Sequence, residues 1–197
     1  MNVAVIPARG GSKRIPHKNR RLFHVKPIIA YSIETARESG LFSRIVVSTE
    51  DAEIAAIAES YGAMALHRSI DLCADHYGPL DICGKVLFDL AYRPDVRPYY
   101  ACCICATAPL MIAYDLRRGY NLLLAQTHMD FAFSVGHVPF LHDAAQFYWG
   151  KPAAFILGKQ IFAEHSIMIP IAPERDCDIN TENDWLRAEK MYKELNP

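Results

Sequence analysis

The sequence predicts an α/β protein with a three-layer, doubly wound architecture, in which helices cover both faces of a mostly parallel β-sheet. The main observation is that short apolar runs alternate along the chain with segments of helical periodicity, the pattern of parallel sheets buried on both faces. The second is size, because 197 residues, 51% of them hydrophobic, suit one domain with its own core. We therefore expect a single domain over residues 1–197.

The first half of the chain begins with a buried strand over 3–8, which ends in a glycine turn. Pro27 can occupy the first position of a helix, which continues over 28–38 and stops before Gly40. The remaining predicted elements of this half are a strand at 44–49, a helix at 51–61 that ends at Gly62, and a strand at 63–66.

The second half is organised around a predicted central strand at 99–105, which contains three of the six cysteines in an apolar run. We interpret these cysteines as small core residues of a strand rather than metal ligands, because they lie in an apolar run. Thr181 caps a last helix over 182–194, with Asp184 completing a capping box. The other predicted elements are helices at 80–92 and 115–125 and strands at 131–135, 145–149 and 166–171.

Charge and composition exclude several classes of protein. The formal net charge of −1 argues against a globally basic nucleic-acid binder. The first residues, 1–7, lack the basic start and the longer apolar stretch of a signal peptide. No uncharged apolar stretch reaches the roughly 20 residues that a membrane helix needs. Unpaired cysteines suit a reducing compartment, so we expect a cytoplasmic protein without nucleic-acid or membrane partners.

A basic loop follows the first predicted strand. This basic loop, residues 9–26, carries seven of the 21 lysines and arginines and no aspartate or glutamate. Gly10 and Gly11 open it, and glycines let backbone N–H groups approach an anion while lysine and arginine neutralise phosphates. The loop matches neither the GxxxxGK[ST] nor the GxGxxG pattern. Its position beyond the carboxyl end of a buried strand favours a triphosphate site over a merely solvated loop.

The residues of this loop resemble a family signature. The run Ala8-Arg9-Gly10-Gly11-Ser12-Lys13-Arg14-Ile15-Pro16-x-Lys18-Asn19 is similar to that of cytidylyltransferases that activate nonulosonic acids with CTP, which include the CMP-sialic acid synthetases. Three further segments extend the resemblance over nearly the whole chain: Val47-Ser48-Thr49-Glu50-Asp51-x-x-Ile54-Ala55, Arg68, and Asp178-Ile179-Asn180-Thr181. The resemblance implies the Rossmann-like fold of nucleotide-diphospho-sugar transferases. The segments at 106–109 and 142–150 are most similar to the branch that activates pseudaminic acid.

The resemblance also implies a reaction and a nucleotide site. The anomeric hydroxyl of the sugar would attack the α-phosphate of CTP, release pyrophosphate and form a CMP-sugar for flagellin or surface glycan synthesis. Lys18 and Arg9 are the implied catalytic residues, with Lys18 neutralising the charge that grows at the α-phosphate. The implied nucleotide-binding residues are Ala8, Arg9, Gly10, Gly11, Ser12, Lys13, Lys18, Asn19 and Arg68.

A metal ion and an acceptor site complete this expectation. Mg²⁺ would bridge phosphate oxygens and the carboxylate of Asp178, with Asn180 beside it, because a hard cation prefers oxygen ligands. A simple turn acid before a helix is the alternative interpretation of Asp178. The implied acceptor-sugar residues are His142, Asp143 and Gln146, although His142 is about as well explained as a hydrogen-bonded structural histidine.

The chain departs from the family pattern at several positions. Asn180 and Glu50 stand where the family usually has aspartate, and an uncharged amide predicts weaker metal binding. The segment 75–81 lacks the serine and threonine hydroxyls expected near the cytidine. The arm that serves the dimer and the sugar site is shortened near 136–142. Residues 119–150 contain no lysine or arginine to receive the sugar carboxylate.

Three functions therefore stay open at this point. The first is CTP-dependent transfer of CMP to a nonulosonic acid, with pseudaminic acid as the favoured acceptor. The second is a degenerate homologue that binds a nucleotide without turnover, suggested by Asn180 and the shortened arm. The third is a sugar nucleotidyltransferase that uses another base or acceptor. A homodimer is also left open, because the usual dimer arm is missing.

Overall fold

The strands form a mostly parallel sheet, as predicted. A computed structural model gives the structure of the protein and describes residues 1–92 and 97–197. The strands in the described residues are β1 (Asn2–Pro7), β2 (Leu22–Phe23), β3 (Lys26–Pro27), β4 (Arg44–Thr49), β5 (Met64–His67), β6 (Tyr100–Ile104), β7 (Phe131–Gly136), β8 (His142–Gly150) and β9 (Ser166–Pro170). Seven of them form one sheet in the order β5-β4-β1-β6-β8-β7-β9, and β2 and β3 form a small antiparallel hairpin.

Strand β8 is the exception to parallel pairing, because it runs antiparallel to both β6 and β7. The neighbouring pairs β1–β4, β1–β6, β4–β5 and β7–β9 are all parallel. The carboxyl ends of β1, β4, β5 and β6 therefore meet at one edge of the sheet, where the basic loop leaves β1. The start of β8 lies at this same edge, because β8 runs the other way.

Helices cover both faces of the sheet, which completes the predicted three layers. They are α1 (Ile28–Ser39), α2 (Ala52–Ser60), α3 (Pro79–Ala91), α4 (Ala113–Ala125), α5 (Pro152–Ile156) and α6 (Glu182–Leu195). Buried residues of α1, α2 and α4 pack with one face of the sheet. Buried residues of α3 and α5 pack with the other. A third cluster joins α6 to the basic loop and to the hairpin through Ile15, Phe23, Ile28 and Trp185.

Two of the three cysteines confirm the core interpretation of the central strand, whereas Cys105 lies one residue beyond β6 and is half-buried. Cys102 and Cys103 are fully buried in β6 on opposite faces of the sheet. All six cysteines are free thiols. Among the described helices, none has both the length and the apolar character needed to cross a bilayer.

The predicted elements are all present with small shifts at their ends. Asp51 caps α2 instead of lying inside it, because its Oδ1 accepts the N–H groups of Glu53 and Ile54. Strand β8 begins at His142 rather than Ala145, and a bulge at Ala145, whose φ is +50°, interrupts its pairing with β7. The hairpin β2–β3 and the short helix α5 were not predicted. Residues 137–141 connect β7 directly to β8 as an exposed loop.

Candidate active site

A pocket opens at the sheet edge where the parallel strands end. This edge pocket, about 400 Å³ in volume, is lined by segments that follow β1, β5 and β6 and by the residues before α6. Six of the fourteen predicted site residues line it, namely Arg9, Lys18, Asn19, Arg68, Asp178 and Asn180. Arg14, Cys73, Cys105 and Thr107 line it as well. The fold therefore brings the two ends of the chain together in one cavity.

Lys18 and Asn19 form the inner wall of the edge pocket from a short 3₁₀ helix. The Nδ2 of the buried Asn19 donates to the carbonyl oxygen of Arg9 at 2.8 Å, which fixes the turn of the basic loop. The Nζ of Lys18 donates to the carbonyl oxygen of Ile179 at 2.6 Å. Burial lowers the pKa of Lys18, and the nearby carboxylate of Asp178 opposes that shift.

Arg9 and Lys13 are held by one acidic side chain. The two oxygens of Asp75 accept from Arg9 Nη1 at 2.7 Å and from Lys13 Nζ at 2.5 Å. The hydrogen bond from Lys13, and then that from Arg9, hold the pKa of Asp75 below its usual value. A single carboxylate thus occupies two cations that the resemblance assigns to phosphates.

The other predicted residues of the basic loop lie outside the lining of the edge pocket. Ala8 is fully buried, and its N–H donates to the carbonyl oxygen of Ser48 at 2.9 Å. A Cβ on Gly10 would lie 2.5 Å from Oδ2 of Asp51, so the loop can pass α2 only with glycine there. Gly11 and Ser12 continue the turn beyond it, and a Cβ on Gly11 would meet nothing within 4 Å.

Glu50 and Arg68 form a buried ion pair beneath the edge pocket. Glu50 Oε2 accepts from Arg68 Nη2 at 3.0 Å, and Glu50 Oε1 accepts from the N–H of Gly10 at 2.7 Å. Burial alone would raise the pKa of Glu50, but hydrogen bonds from Cys73, Gly10 and Arg68 outweigh it and leave this pKa lowered. Glu50 thereby ties the ends of β4 and β5 to the basic loop.

Asp178 and Asn180 lie side by side before α6, as predicted, but the amide is already engaged. Asn180 Nδ2 donates to Asp178 Oδ2 at 2.5 Å, and Asn180 Oδ1 accepts from Arg14 at 2.7 Å. Within residues 1–92 and 97–197, no group of three histidine, cysteine, aspartate or glutamate side chains is arranged to hold a metal ion. Asp178 can therefore supply one carboxylate to a cation whose other ligands come from substrate and water, which suits Mg²⁺.

The predicted acceptor residues lie on β8, near the same sheet edge. His142 is exposed, with Nε2 3.1 Å from Asp176 Oδ2 and Nδ1 2.7 Å from the carbonyl oxygen of Phe140. The contact with Phe140, together with Asp176, raises the pKa of His142. Gln146 is buried, donates from Nε2 to the carbonyl oxygen of Arg175 at 2.6 Å, and lines neither pocket described here.

Asp143 lines a second cavity beside the first. This side pocket, about 530 Å³, runs along the sheet face covered by α3 and α5. Its lining is Gly78, Pro79, Leu80, Asp81, Phe131, Asp143, Tyr148, Phe155, Gly158, Lys159, Gln160, Ile161 and Phe162. Gly78, Pro79 and Tyr148 line both pockets and form the wall between them. The sequence predicts Tyr148 as part of the strand at 145–149, and its place between two pockets is not visible in a hydrophobic run.

A pocket at the carboxyl ends of parallel strands, lined by several cations, is typical of nucleotide-binding α/β proteins. The sequence profile of the family described as cytidylyltransferase matches residues 3–164, and the chain belongs to this family. The prediction of a CTP-dependent nucleotidyltransferase is thus confirmed.

Individual relatives agree with this assignment. The chain is 32% identical over 224 positions to pseudaminic acid cytidylyltransferase of Campylobacter jejuni, covering 98% of this chain and 96% of that protein. It is 51% identical over 225 positions to CMP-N,N'-diacetyllegionaminic acid synthase of Legionella pneumophila, covering 98% and 97%. The structure of CMP:2-keto-3-deoxy-manno-octonic acid synthetase complexed with CTP has a similar fold, with a TM-score of 0.75 at 14% identity over 98% of this chain and 99% of that one.

This chain is shorter than the relatives within the aligned region. Both alignments extend over more positions than the 197 residues of the chain, although they cover nearly all of each relative. The relatives therefore contain internal segments that this chain lacks.

Proposed function

We propose that the protein transfers CMP from CTP to the anomeric hydroxyl of a nonulosonic acid and releases pyrophosphate. The observation that carries this proposal is the convergence of Arg9, Arg14 and Lys18 on one pocket that also contains Asp178. Phosphoryl transfer depends mostly on positioning and on stabilising charge. Three cations beside one carboxylate meet that requirement for a triphosphate and its metal ion.

Each residue has a role in this scheme. Lys18, held by the carbonyl oxygen of Ile179, neutralises charge at the α-phosphate. Arg9 and Lys13 exchange Asp75 for the β- and γ-phosphates, with the backbone of Gly10, Gly11 and Ser12 alongside.

The remaining residues of the site support these contacts. Asn19 orients the loop through the carbonyl oxygen of Arg9, and Arg68 supports it through Glu50 and Gly10. Ala8 positions the loop at the end of β1.

We infer that Asp178 holds a divalent metal ion, with Mg²⁺ as the favoured ion. When bound, such an ion neutralises phosphate charge and orients the triphosphate. Asn180 would support the metal site indirectly, by holding the side chains of Asp178 and Arg14. Both polar groups of its amide already have these two partners. Asn180→Asp should tighten Mg²⁺ binding, since a second carboxylate adds charge.

We place the acceptor sugar in the side pocket, adjacent to Asp143 and His142. Gln146 would support the acceptor site indirectly, because its side chain holds the backbone at Arg175 by a hydrogen bond. Pseudaminic acid is the favoured acceptor on the resemblance of the segment 142–150, and N,N'-diacetyllegionaminic acid is the alternative, because a relative named for that product is 51% identical. We also propose a cytoplasmic location, and use of the CMP-sugar for flagellin or surface glycans.

The experiment is a pyrophosphate-release assay with CTP, Mg²⁺ and a panel of nonulosonic acids. We expect turnover with at least one acid, and Lys18→Met should lower kcat by about 100-fold because charge stabilisation at the phosphate is lost. Lys190→Met, on the exposed side of α6, is the matched control. CTP binding measured by calorimetry, without turnover on any acid, would support a homologue that binds a nucleotide but does not catalyse. Turnover with another nucleotide would support a sugar nucleotidyltransferase that uses another base.

A further inference from the structure

We propose that Asp143 is the general base that removes the proton from the anomeric hydroxyl of the acceptor as that hydroxyl attacks the α-phosphate. This inference rests on the proposed function and adds the proton acceptor that the reaction requires. The nucleotide-binding residues of the edge pocket are mainly cations, which stabilise phosphate charge but do not take up a proton.

The first argument is position. Oδ2 of Asp143 accepts from the hydroxyl of Tyr148 at 2.7 Å, and the Tyr148 side chain lines both pockets. Oδ1 of Asp143 accepts from the N–H of Ala145 at 2.8 Å, across the bulge where Ala145 has a φ of +50°. Ala145 itself lines the edge pocket. The carboxylate is therefore fixed by two groups at the boundary between the proposed nucleotide and acceptor cavities.

The second argument is that the other carboxylates near the two pockets have different partners. Glu50 is bound by Arg68 and Gly10 beneath the edge pocket. Asp75 is bound by two cations. Asp81 accepts from the N–H of Gly78 at 2.8 Å at the start of α3. Asp178 is the proposed metal ligand.

Asp143, in contrast, is held by a neutral hydroxyl and a neutral amide. In the part of the chain that the structure describes, no lysine or arginine forms an ion pair with it. Each of its oxygens accepts one hydrogen bond and keeps capacity for another. A carboxylate without a cationic partner retains more of its affinity for a proton.

The surroundings of Asp143 raise its pKa on balance. Burial raises the pKa of Asp143, and the negative charge of Asp178 adds to this. The hydrogen bonds from Tyr148 and Ala145 and the proximity of His142 lower it, but the net shift is upward. The other titratable groups near it are the thiols of Cys103 and Cys105, whose own pKa values burial raises. Asp81 and Lys159 line the same side pocket, and Lys159 is paired with Asp130. A general base whose pKa is raised is better matched to neutral pH.

The step balances as follows. The anomeric oxygen forms a bond to the α-phosphorus, and the bond from that phosphorus to the bridging oxygen of pyrophosphate breaks. Pyrophosphate leaves with the electron pair. The proton of the anomeric hydroxyl passes to Asp143 and is then released to water, which restores the carboxylate for the next turnover.

The first test is Asp143→Asn, which keeps the shape of the side chain and one of its two hydrogen-bond-accepting oxygens. We expect kcat/KM to fall by about 100-fold, while calorimetry shows unchanged CTP affinity. The decrease of kcat/KM at acid pH that we expect for the wild type should disappear. Asp143→Glu should recover part of the rate. Asp71→Asn is the matched control, because Asp71 is exposed and accepts a hydrogen bond from the hydroxyl of Ser69.

The second test is Tyr148→Phe, which separates a proton-transfer role from a structural one. Removing this hydrogen bond raises the pKa of Asp143, so the acid limb of the kcat/KM profile should move to higher pH. An unmoved limb, or an Asp143→Asn enzyme within about threefold of the wild type, overturns the proposal and leaves the proposed function intact. A wild-type protein that releases no pyrophosphate with any acceptor overturns both.

Discussion

Asp75 connects the basic loop to the segment after Arg68 through two ion pairs, and both partners are cations that the proposed mechanism assigns to phosphates. The triphosphate must displace this carboxylate before it can contact Arg9 and Lys13. The segment that contains Asp75 is also the one in which serine and threonine were expected and are missing. Replacing Asp75 is therefore the most direct test of whether Arg9 and Lys13 bind the phosphates of the nucleotide.

We expect Asp75→Asn to lower the KM for CTP several-fold, because the two cations no longer need to be released from a carboxylate. The effect should shrink as salt is raised, since both ion pairs are exposed and screened by salt. Steady-state kinetics at low and high ionic strength measure it, with Asp71→Asn as the control. A higher KM would mean instead that Asp75 orders the cations for binding.

Sequence motifs indicate which charged residues converge on the edge pocket, but they do not indicate the contacts that these residues make with their neighbours. The grouping of Arg9, Lys18 and Asp178 follows from a motif at the end of the first strand and another before the last helix. The pairing of Arg68 with Glu50 depends on the register between β4 and β5, and the pairing of Tyr148 with Asp143 depends on the bulge within β8. A single sequence contains no signal for such contacts, because register and bulges are set when the strands pair.

Among the secondary-structure elements, long periodic segments were predicted and short ones were missed. The hairpin β2–β3 has two residues in each strand, and α5 has five residues. Neither is long enough to show a period. Their stability comes from packing instead, as Phe23 is buried against Tyr31 and Trp185, and Phe155 is buried against Phe131. Tertiary contacts of this kind outweigh local propensity.

The packing of α5 on α3 depends on one glycine. A Cβ on Gly84 in α3 would lie 2.5 Å from the carbonyl oxygen of Phe155. Gly84→Ala should therefore lower the free energy of unfolding by about 1–2 kcal/mol, because the overlap with backbone outweighs the gain in helix propensity. Urea denaturation measures the change. Gly11→Ala is the matched control, since nothing lies within 4 Å of its Cβ, and an equal loss there would show that the contact with Phe155 is not the cause.

At the scale of the whole molecule, the buried pair of Glu50 and Arg68 makes stability depend on pH. The pKa of Glu50 is lowered in the folded protein, so its stabilisation is present above the pKa of the unfolded state. That stabilisation is lost as the pH falls through the folded-state pKa. Glu50→Gln should lower the free energy of unfolding by about 3 kcal/mol at neutral pH, because Arg68 is left buried without its partner.

The difference between wild type and Glu50→Gln should then diminish in acid, where the wild-type carboxyl is protonated as well. Urea denaturation at neutral and acid pH measures both values. Glu194→Gln, at an exposed pair on α6, should change stability by less than about 0.5 kcal/mol at either pH. A constant difference for Glu50→Gln at every pH would contradict the role of its charge.

The architecture as a whole was predictable, and the division of its site was not. Alternating strands and helices indicate the three layers, and the basic loop indicates the sheet edge where a ligand binds. The two pockets and their shared wall of Gly78, Pro79 and Tyr148 depend on β8 running antiparallel between β6 and β7. Strand direction is a property of the assembled sheet, so the hydrophobic pattern of β8 does not contain it.

The contacts of Lys18 with Ile179 and of Arg14 with Asn180 join positions that are 161 and 166 residues apart. During synthesis on the ribosome, the sheet can therefore be largely assembled before the edge pocket has its last wall. A nascent or prematurely terminated chain that ends before Asp178 would keep its basic loop open to solvent and lack the carboxylate proposed to hold the metal ion. The proposed catalytic site would therefore be complete only with the last stretch of translation.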